Sequence, residues 1–296
     1  MNQIVAIPID KQLADFIGKG SSEGSISFHN RKVDGKVVVG LSPSSLDDKF
    51  YAVAEILLVC DQVLISTANI DKLFGEVLVA SSLLRKHVIF TDENDVASFV
   101  SGVGLKDYEV SPKEELLARI TARPQANSGE PVRVDIDRAF PVKGIGCVAL
   151  GIVTRGTLKV HDELQHSSGK VAGVKSIQSQ DVDIQSADPG TRVGLALKGI
   201  EYTDMEKGDI LTKERVQKVG SIKCILDVSK VSGEQIKEGG QYVLVSNFSR
   251  SNATIEAFDG GIASIKLDKQ MAAMKGDRIL LLREQSPRIF ASGSVA

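Results

Sequence analysis

Over the first 121 residues the hydrophobic pattern switches back and forth between two periods. Short apolar runs at 4–9, 25–28, 37–41, 63–66 and 88–90 are bounded by polar turns and read as strands. Between them the spacing changes to three and four. Phe50, Val53, Ala54 and Leu57 fall on one helical face within 46–58, residues 70–84 continue that period, and residues 10–17 follow it more weakly. Ser111-Pro112 followed by Lys-Glu-Glu-Leu-Leu-Ala predicts a capped amphipathic helix over 111–120. Strands alternating with helices imply a mostly parallel α/β sheet covered on both faces.

The pattern stops at Pro-Gln-Ala-Asn-Ser-Gly-Glu-Pro, residues 124–131, where two prolines bracket small polar residues and nothing apolar is available to bury. From Val132 onward the helical period is gone. Apolar runs at 132–136, 146–153, 171–177, 191–197, 222–228, 241–245, 251–257, 260–267 and 278–282 recur between Gly, Asp and Ser, the spacing of small β-barrels. The Lys207-Gly208-Asp209 turn and the stretch 211–219 suggest a division near 216. The expected organisation is an α/β domain over 1–123, a linker over 124–131, and two β-barrels over 132–216 and 217–296.

Composition changes this picture little. With 42% hydrophobic residues the 296-residue chain can supply a core to each of three domains. Residues 1–127 carry 13 Lys/Arg against 17 Asp/Glu and residues 128–296 carry 23 against 21, so the net charges are -4 and +2. That is too slight a basic excess for nucleic-acid binding by bulk charge, and an RNA partner would need a local patch on the C-terminal part. Cys60, Cys147 and Cys224 form no CxxC pair and are expected to be buried, reduced thiols. No signal-peptide pattern opens the chain and no apolar run approaches a membrane span, so a cytoplasmic protein without a membrane partner is expected.

The barrel region also carries ordered motifs. Ala139-Phe140-Pro141-Val142-Lys143-Gly144-Ile145-Gly146-Cys147-Val148 is followed by Gly151-Ile152-Val153, by Gly156-Thr157-Leu158-Lys159-Val160-His161-Asp162-Glu163-Leu164, by the stretch from Asp188-Pro189-Gly190-Thr191-Arg192 to Ile200, and by Lys207-Gly208-Asp209-Ile210-Leu211. In this order they resemble the second domain of elongation factor Tu and its relatives, including the selenocysteine-specific factor. Residues 278–284 and 288–295 are similar, more loosely, to the last strand pair of the family's third domain, with Gln285-Ser286 where the family has a glycine pair. The resemblance implies two barrels behind a P-loop-GTPase-like α/β domain. It also implies tRNA, the ribosome or a translation-related protein as partner, with Lys143, Arg155, Arg192, Arg283 and Arg288 in or beside the segments that would face RNA.

The first domain, by contrast, matches the family in order and spacing rather than in motifs. A P-loop needs G-x-x-x-x-G-K-[ST] so that backbone N–H groups, a lysine and a hydroxyl can hold the phosphates and Mg²⁺. Here the first strand runs into Pro8-Ile9-Asp10-Lys11-Gln12, without a glycine before Gly18. Gly18-Lys19-Gly20-Ser21-Ser22 precedes a strand-like run rather than a helix and is expected to be a solvated loop. Gly40-Leu41-Ser42-Pro43-Ser44-Ser45-Leu46-Asp47 stands where the family has D-x-x-G, and Phe90-Thr91-Asp92-Glu93-Asn94-Asp95 where it has N-K-x-D. Asp47, Asp48, Asp92 and Asp95 are expected at helix N-termini, and only Ser111-Pro112-Lys113 faintly matches the last base-side motif. The GTPase domain therefore reads as degenerate, with no cofactor and no catalytic or metal-binding residues expected. His161 and His166 are expected to be solvated turn residues. The leading expectation is a translation elongation factor-like protein without a working GTP site. An active GTPase with an unconventional pocket and a protein-binding regulator outside translation are the alternatives.

Overall fold

The computed structural model describes residues 2–22, 24–45, 50–91, 95–123 and 129–296. Linker residues 124–128, Asp47, Asp48 and Asp92 therefore lie outside the described residues. The first sheet is built from Gln3–Ala6 (β1), Gly20–Ser22 (β2), Ile26–Val33 (β3), Lys36–Pro43 (β4), Gln62–Ser66 (β5), His87–Thr91 (β6) and Tyr108–Val110 (β7). Their order is β2-β3-β4-β1-β5-β6-β7. From β4 to β7 the neighbours run parallel, while β3 lies antiparallel to β4 and β2 antiparallel to β3.

Five helices, Lys11–Ile17 (α1), Tyr51–Val59 (α2), Lys72–Leu83 (α3), Ala97–Val103 (α4) and Leu116–Ala122 (α5), accompany the sheet. Alternation along the strands sends Ala6, Val63, Ile65 and Val88 to the side of α2 and α3, and Val5, Ile7, Leu64 and Ile89 to the side of α1 and α5. Both faces are thereby buried. Asp71 starts α3, its carboxylate accepting from Phe74 N at 2.9 Å.

Three details differ from the sequence reading. The predicted helix at 111–120 begins only at Leu116. Ser111, 1% exposed, instead donates its backbone N–H to the Phe90 carbonyl at 2.9 Å and so stays attached to β6. The predicted loop at 18–22 supplies β2, paired with β3. The short α4 and β7 were not anticipated.

The second sheet uses Arg133–Val142, Gly146–Arg155, Glu163–His166, Val171–Ser179, Arg192–Lys198 and Ile210–Thr212, with Val182–Ile184 added beside Val171–Ser179. Glu163–His166 pairs with both Val171–Ser179 and Ile210–Thr212, so six strands return on themselves around a core that includes Val134, Leu164, Val174 and Leu195. Gly151 is a requirement of that curvature: a Cβ there would sit 2.6 Å from the Asp135 carbonyl oxygen. Gln217–Val228, Gln241–Ser246, Ser249–Asp259, Ile262–Ala273, Arg278–Leu282 and Ile289–Val295 form a closed barrel. Its outer face rests on α2 and α3, and its Val245, Phe248, Leu280, Leu282 and Ile289 join the core of the first sheet. Cys60, Cys147 and Cys224 are all buried and unpaired with one another.

Candidate functional site

The turn leaving β1 is where a parallel α/β sheet places ligands, outside the carboxyl ends of its strands. Ile7 N donates to the Leu41 carbonyl at 2.7 Å, which fixes the chain against β4. Pro8 then contributes no N–H. The Asp10 carboxylate accepts from Leu13 N at 2.9 Å and caps α1, so a negative side chain already occupies the helix start that an anion would need. The helix has only seven residues and buries Leu13, Ala14 and Ile17.

Beside this turn lies a cavity of about 570 Å³ lined by residues of 7–20, 27–29 and 42–45, among them Lys11, Lys19, Asp10 and Asp15. His29, 4% exposed, closes its floor. One ring nitrogen lies 2.8 Å from the Gly18 carbonyl and the other 2.9 Å from Ser42 Oγ. The glycines of 18–20 have a structural reason. A Cβ on Gly18 would lie 2.4 Å from the Asn30 carbonyl oxygen, and one on Gly20 would lie 2.7 Å from His29. They let β2 approach β3 and do not form a phosphate-binding turn into a helix. Where a D-x-x-G motif would stand, Ser27 Oγ and Ser44 Oγ are 3.1 Å apart, and Ser42 is bonded to His29. Asp95 accepts from Ala97 N at 2.9 Å at the start of α4, the helix-terminal place expected for it.

Of the five basic residues singled out from the sequence, Arg283 and Arg288 are brought together, the Arg283 backbone N–H donating to the Arg288 carbonyl at 2.8 Å; the other three stand apart, and no two of the five side chains share a partner. Lys143 is exposed at the tip of the hairpin between Arg133–Val142 and Gly146–Arg155. Arg155 lies 3.4 Å from Glu130 and 4.0 Å from Glu214. Arg192 donates to Asp137 at 2.8 Å, with its guanidinium 3.4 Å from the centre of the Phe28 ring, so it ties the first barrel to β3. Arg283 donates to the Pro287 carbonyl at 2.8 Å and to Glu234 at 2.6 Å.

Arg288 lies over the Phe50 ring and donates through Nε to Glu76 of α3 at 2.8 Å; its backbone N–H also reaches Glu76, at 2.9 Å. Burial works against the Glu76 charge, yet these bonds and the one from Ser286 hold its carboxyl below the ordinary value. Glu55 of α2 pairs with Lys207 of the first barrel, and there burial prevails and pushes the carboxyl up.

Sequence reasoning missed the residues that join the units. Arg133 donates to Asp135 at 2.8 Å and to Asp277 of the second barrel, and all three side chains are buried. Asp135 also accepts from Thr154 at 2.6 Å and from Asn247 at 3.1 Å. Burial disfavours the Arg133 charge, but the two carboxylates outweigh it and raise its pKa. His166, expected to be solvated, is fully buried 3.2 Å from Asp209. Asp209 also takes a bond from Ser167; burial works against its charge, but His166, Lys218 at 2.8 Å and the Glu206 N–H outweigh burial and hold its pKa down at about 2. Among the described residues no group of three or more His, Cys, Asp or Glu side chains is placed to hold a metal ion, and no helix is long and apolar enough to cross a membrane.

Residues 146–212 match the family model described as elongation factor Tu domain 2. An uncharacterized protein of Methanocaldococcus jannaschii is 27% identical over 276 residues, 90% of each chain. The selenocysteine-specific elongation factor of Haemophilus influenzae is 25% identical over 257 residues, 83% of this chain but 39% of that protein, so the match spans well under half of the longer factor. In fold, the chain is similar to the translation elongation factor SelB of Methanococcus maripaludis, solved in complex with the GTP analogue GPPNHP. The TM-score is 0.81 with 20% identity, covering 99% of this chain and 78% of that one.

Proposed function

We propose that this chain, which matches elongation factor Tu domain 2 over 146–212 and resembles SelB in fold, is a translation elongation factor-like protein that works in the cytoplasm without a working GTP site. In this reading units 1–123, 132–216 and 217–296 form one platform for tRNA, the ribosome or a translation partner. The observation that carries it is the turn after β1. The Asp10 carboxylate occupies the start of α1, and Pro8 removes a donor where a phosphate would need positive N–H groups.

RNA would meet the barrels. Lys143 is the first candidate among the five basic residues, because it is exposed and stands at a hairpin tip. Arg192 and Arg288 serve contacts between units, and Arg155 and Arg283 are each bonded to carboxylates, so these four would reach RNA only by giving up a present partner. The test is tRNA binding by the full chain as a function of salt. Each phosphate neutralised should add about 0.9 to the slope on duplex RNA. Lys143→Glu should weaken binding and flatten that slope. A parent protein that binds no tRNA at low salt would contradict the RNA reading and leave the protein-binding regulator.

A further inference from the structure

We infer that the cleft between the first unit and the second barrel, at the C-terminal end of α3, binds a small phosphate-bearing ligand of the pyrophosphate or phosphate-monoester class. The cleft has a volume of about 730 Å³, the size of a small-molecule site. Its walls are the end of α3, the connection from α4 to β7, and residues 227–231 of the second barrel. Val79, Leu83, Val103, Leu105, Val228 and Val231 give it an apolar lining that suits the organic body of such a ligand.

The charges in this lining are unbalanced. Arg85, Lys106 and Lys230 are exposed in it, and among the described residues no carboxylate lies within ion-pair distance of them. The nearby acid Asp107 is already taken by Arg123 at 3.0 Å and by His87 at 2.7 Å. Buried Lys86 is likewise taken, by the Cys60 carbonyl. Asp227 is the remaining acid of the lining. Behind the wall, Arg278 docks α3 by donating to the Leu83 carbonyl at 2.9 Å, while its buried Nε has no partner. Burial and the neighbouring Arg85 lower its pKa, against the opposing pull of Asp227. A monocarboxylate would neutralise one of these cations; a dianion answers several.

A second, independent observation is Ser229. It is 3% exposed, lines the cleft, and its hydroxyl has no hydrogen-bond partner. It stands at the N-cap of the 3₁₀ turn Lys230–Ser232, where a serine hydroxyl ordinarily accepts a backbone N–H, yet it makes no capping bond. An unsatisfied buried hydroxyl is costly unless something outside the chain completes it. The Ser229 oxygen is closed off from solvent, so a phosphate oxygen held by Arg85 and Lys230 would complete it once the side chain turns toward the cleft.

This inference does not depend on the fate of the GTP site, and the test separates the two. Isothermal titration of the full chain with inorganic pyrophosphate at low ionic strength should give one saturable site. Lys106→Glu with Lys230→Glu should weaken it by about tenfold or more, and Ser229→Ala by a few fold without lowering the melting temperature. Lys32→Glu with Lys266→Glu changes net charge equally at exposed positions outside the cleft and should leave affinity within about twofold. No saturable binding, or equal loss in both double variants, overturns the inference. Loss in Lys11→Ala with Lys19→Ala instead would also overturn it and place the anion at the turn after β1. If a single-stranded RNA binds through Lys106 and Lys230 while pyrophosphate does not bind, the small-ligand assignment is overturned in favour of a nucleic-acid surface.

Discussion

The two barrels are joined to each other by buried charge, whereas the first unit is joined to the second barrel by apolar side chains with ion pairs beside them. At the first joint Arg133, Asp135 and Asp277 are almost without solvent contact, and their bonds with Thr154 and Asn247 leave few unsatisfied groups. At the second, Val245, Phe248, Leu280, Leu282 and Ile289 enter the core of the first sheet, and Glu76 with Arg288 fixes their register. A buried charge network is intolerant of losing a member, because the charge left behind has no water to turn to. An apolar contact loosens in proportion to the area lost. The two joints should therefore fail differently.

The largest expected effect is at the barrel joint. Arg133→Ala should reduce stability by about 3–5 kcal/mol, since it strands two buried carboxylates, and urea unfolding should show the barrels separating into two transitions. A loss below about 1 kcal/mol would mean that the network does not hold the joint. Next comes Glu76→Ala at the other joint, at about 1–3 kcal/mol, smaller because Arg288 keeps partial access to water.

That pair also sets a pH dependence. The Glu76 carboxyl is lowered on folding, so its contribution is complete above the unfolded value near pH 4.3 and is lost as pH falls through the folded value. Glu76→Gln should flatten the acid limb of the stability profile. An unchanged acid limb would assign the acid sensitivity elsewhere, to Asp209 first, whose folded value is about 2. The smallest effect is Arg283→Ala, within about 1 kcal/mol, because its partner Glu234 is exposed at the surface.

The barrels were legible in the sequence because a strand's period of two and a turn's glycine are local properties. The hairpin from Arg133 to Arg155 and the turn around Gly190, with φ of 83°, follow from residues adjacent in the chain. The first sheet was legible for the same reason, apart from β2, read as a loop, and from α4 and β7, which are three, seven and three residues long and too short to show a period. The joints were not legible. Glu76 and Arg288 are separated by 212 positions and Arg133 and Asp277 by 144, and nothing local marks a surface-type residue as buried by a distant segment. His166 was misread for that reason, since only the fold brings Asp209 to it.

The most direct test of a first unit without a working GTP site is isothermal titration of the full chain with GTP and Mg²⁺. It is best done in the Lys106→Glu with Lys230→Glu background, so that the cleft beside α3 contributes nothing. With Asp10 at the start of α1 and no P-loop lysine-hydroxyl pair, at least two charge-assisted contacts of roughly 1.5–3 kcal/mol each are missing, and binding should be no tighter than about 100 μM. Saturable GTP binding near 1 μM or tighter would contradict it, and the active GTPase with an unconventional pocket would take its place.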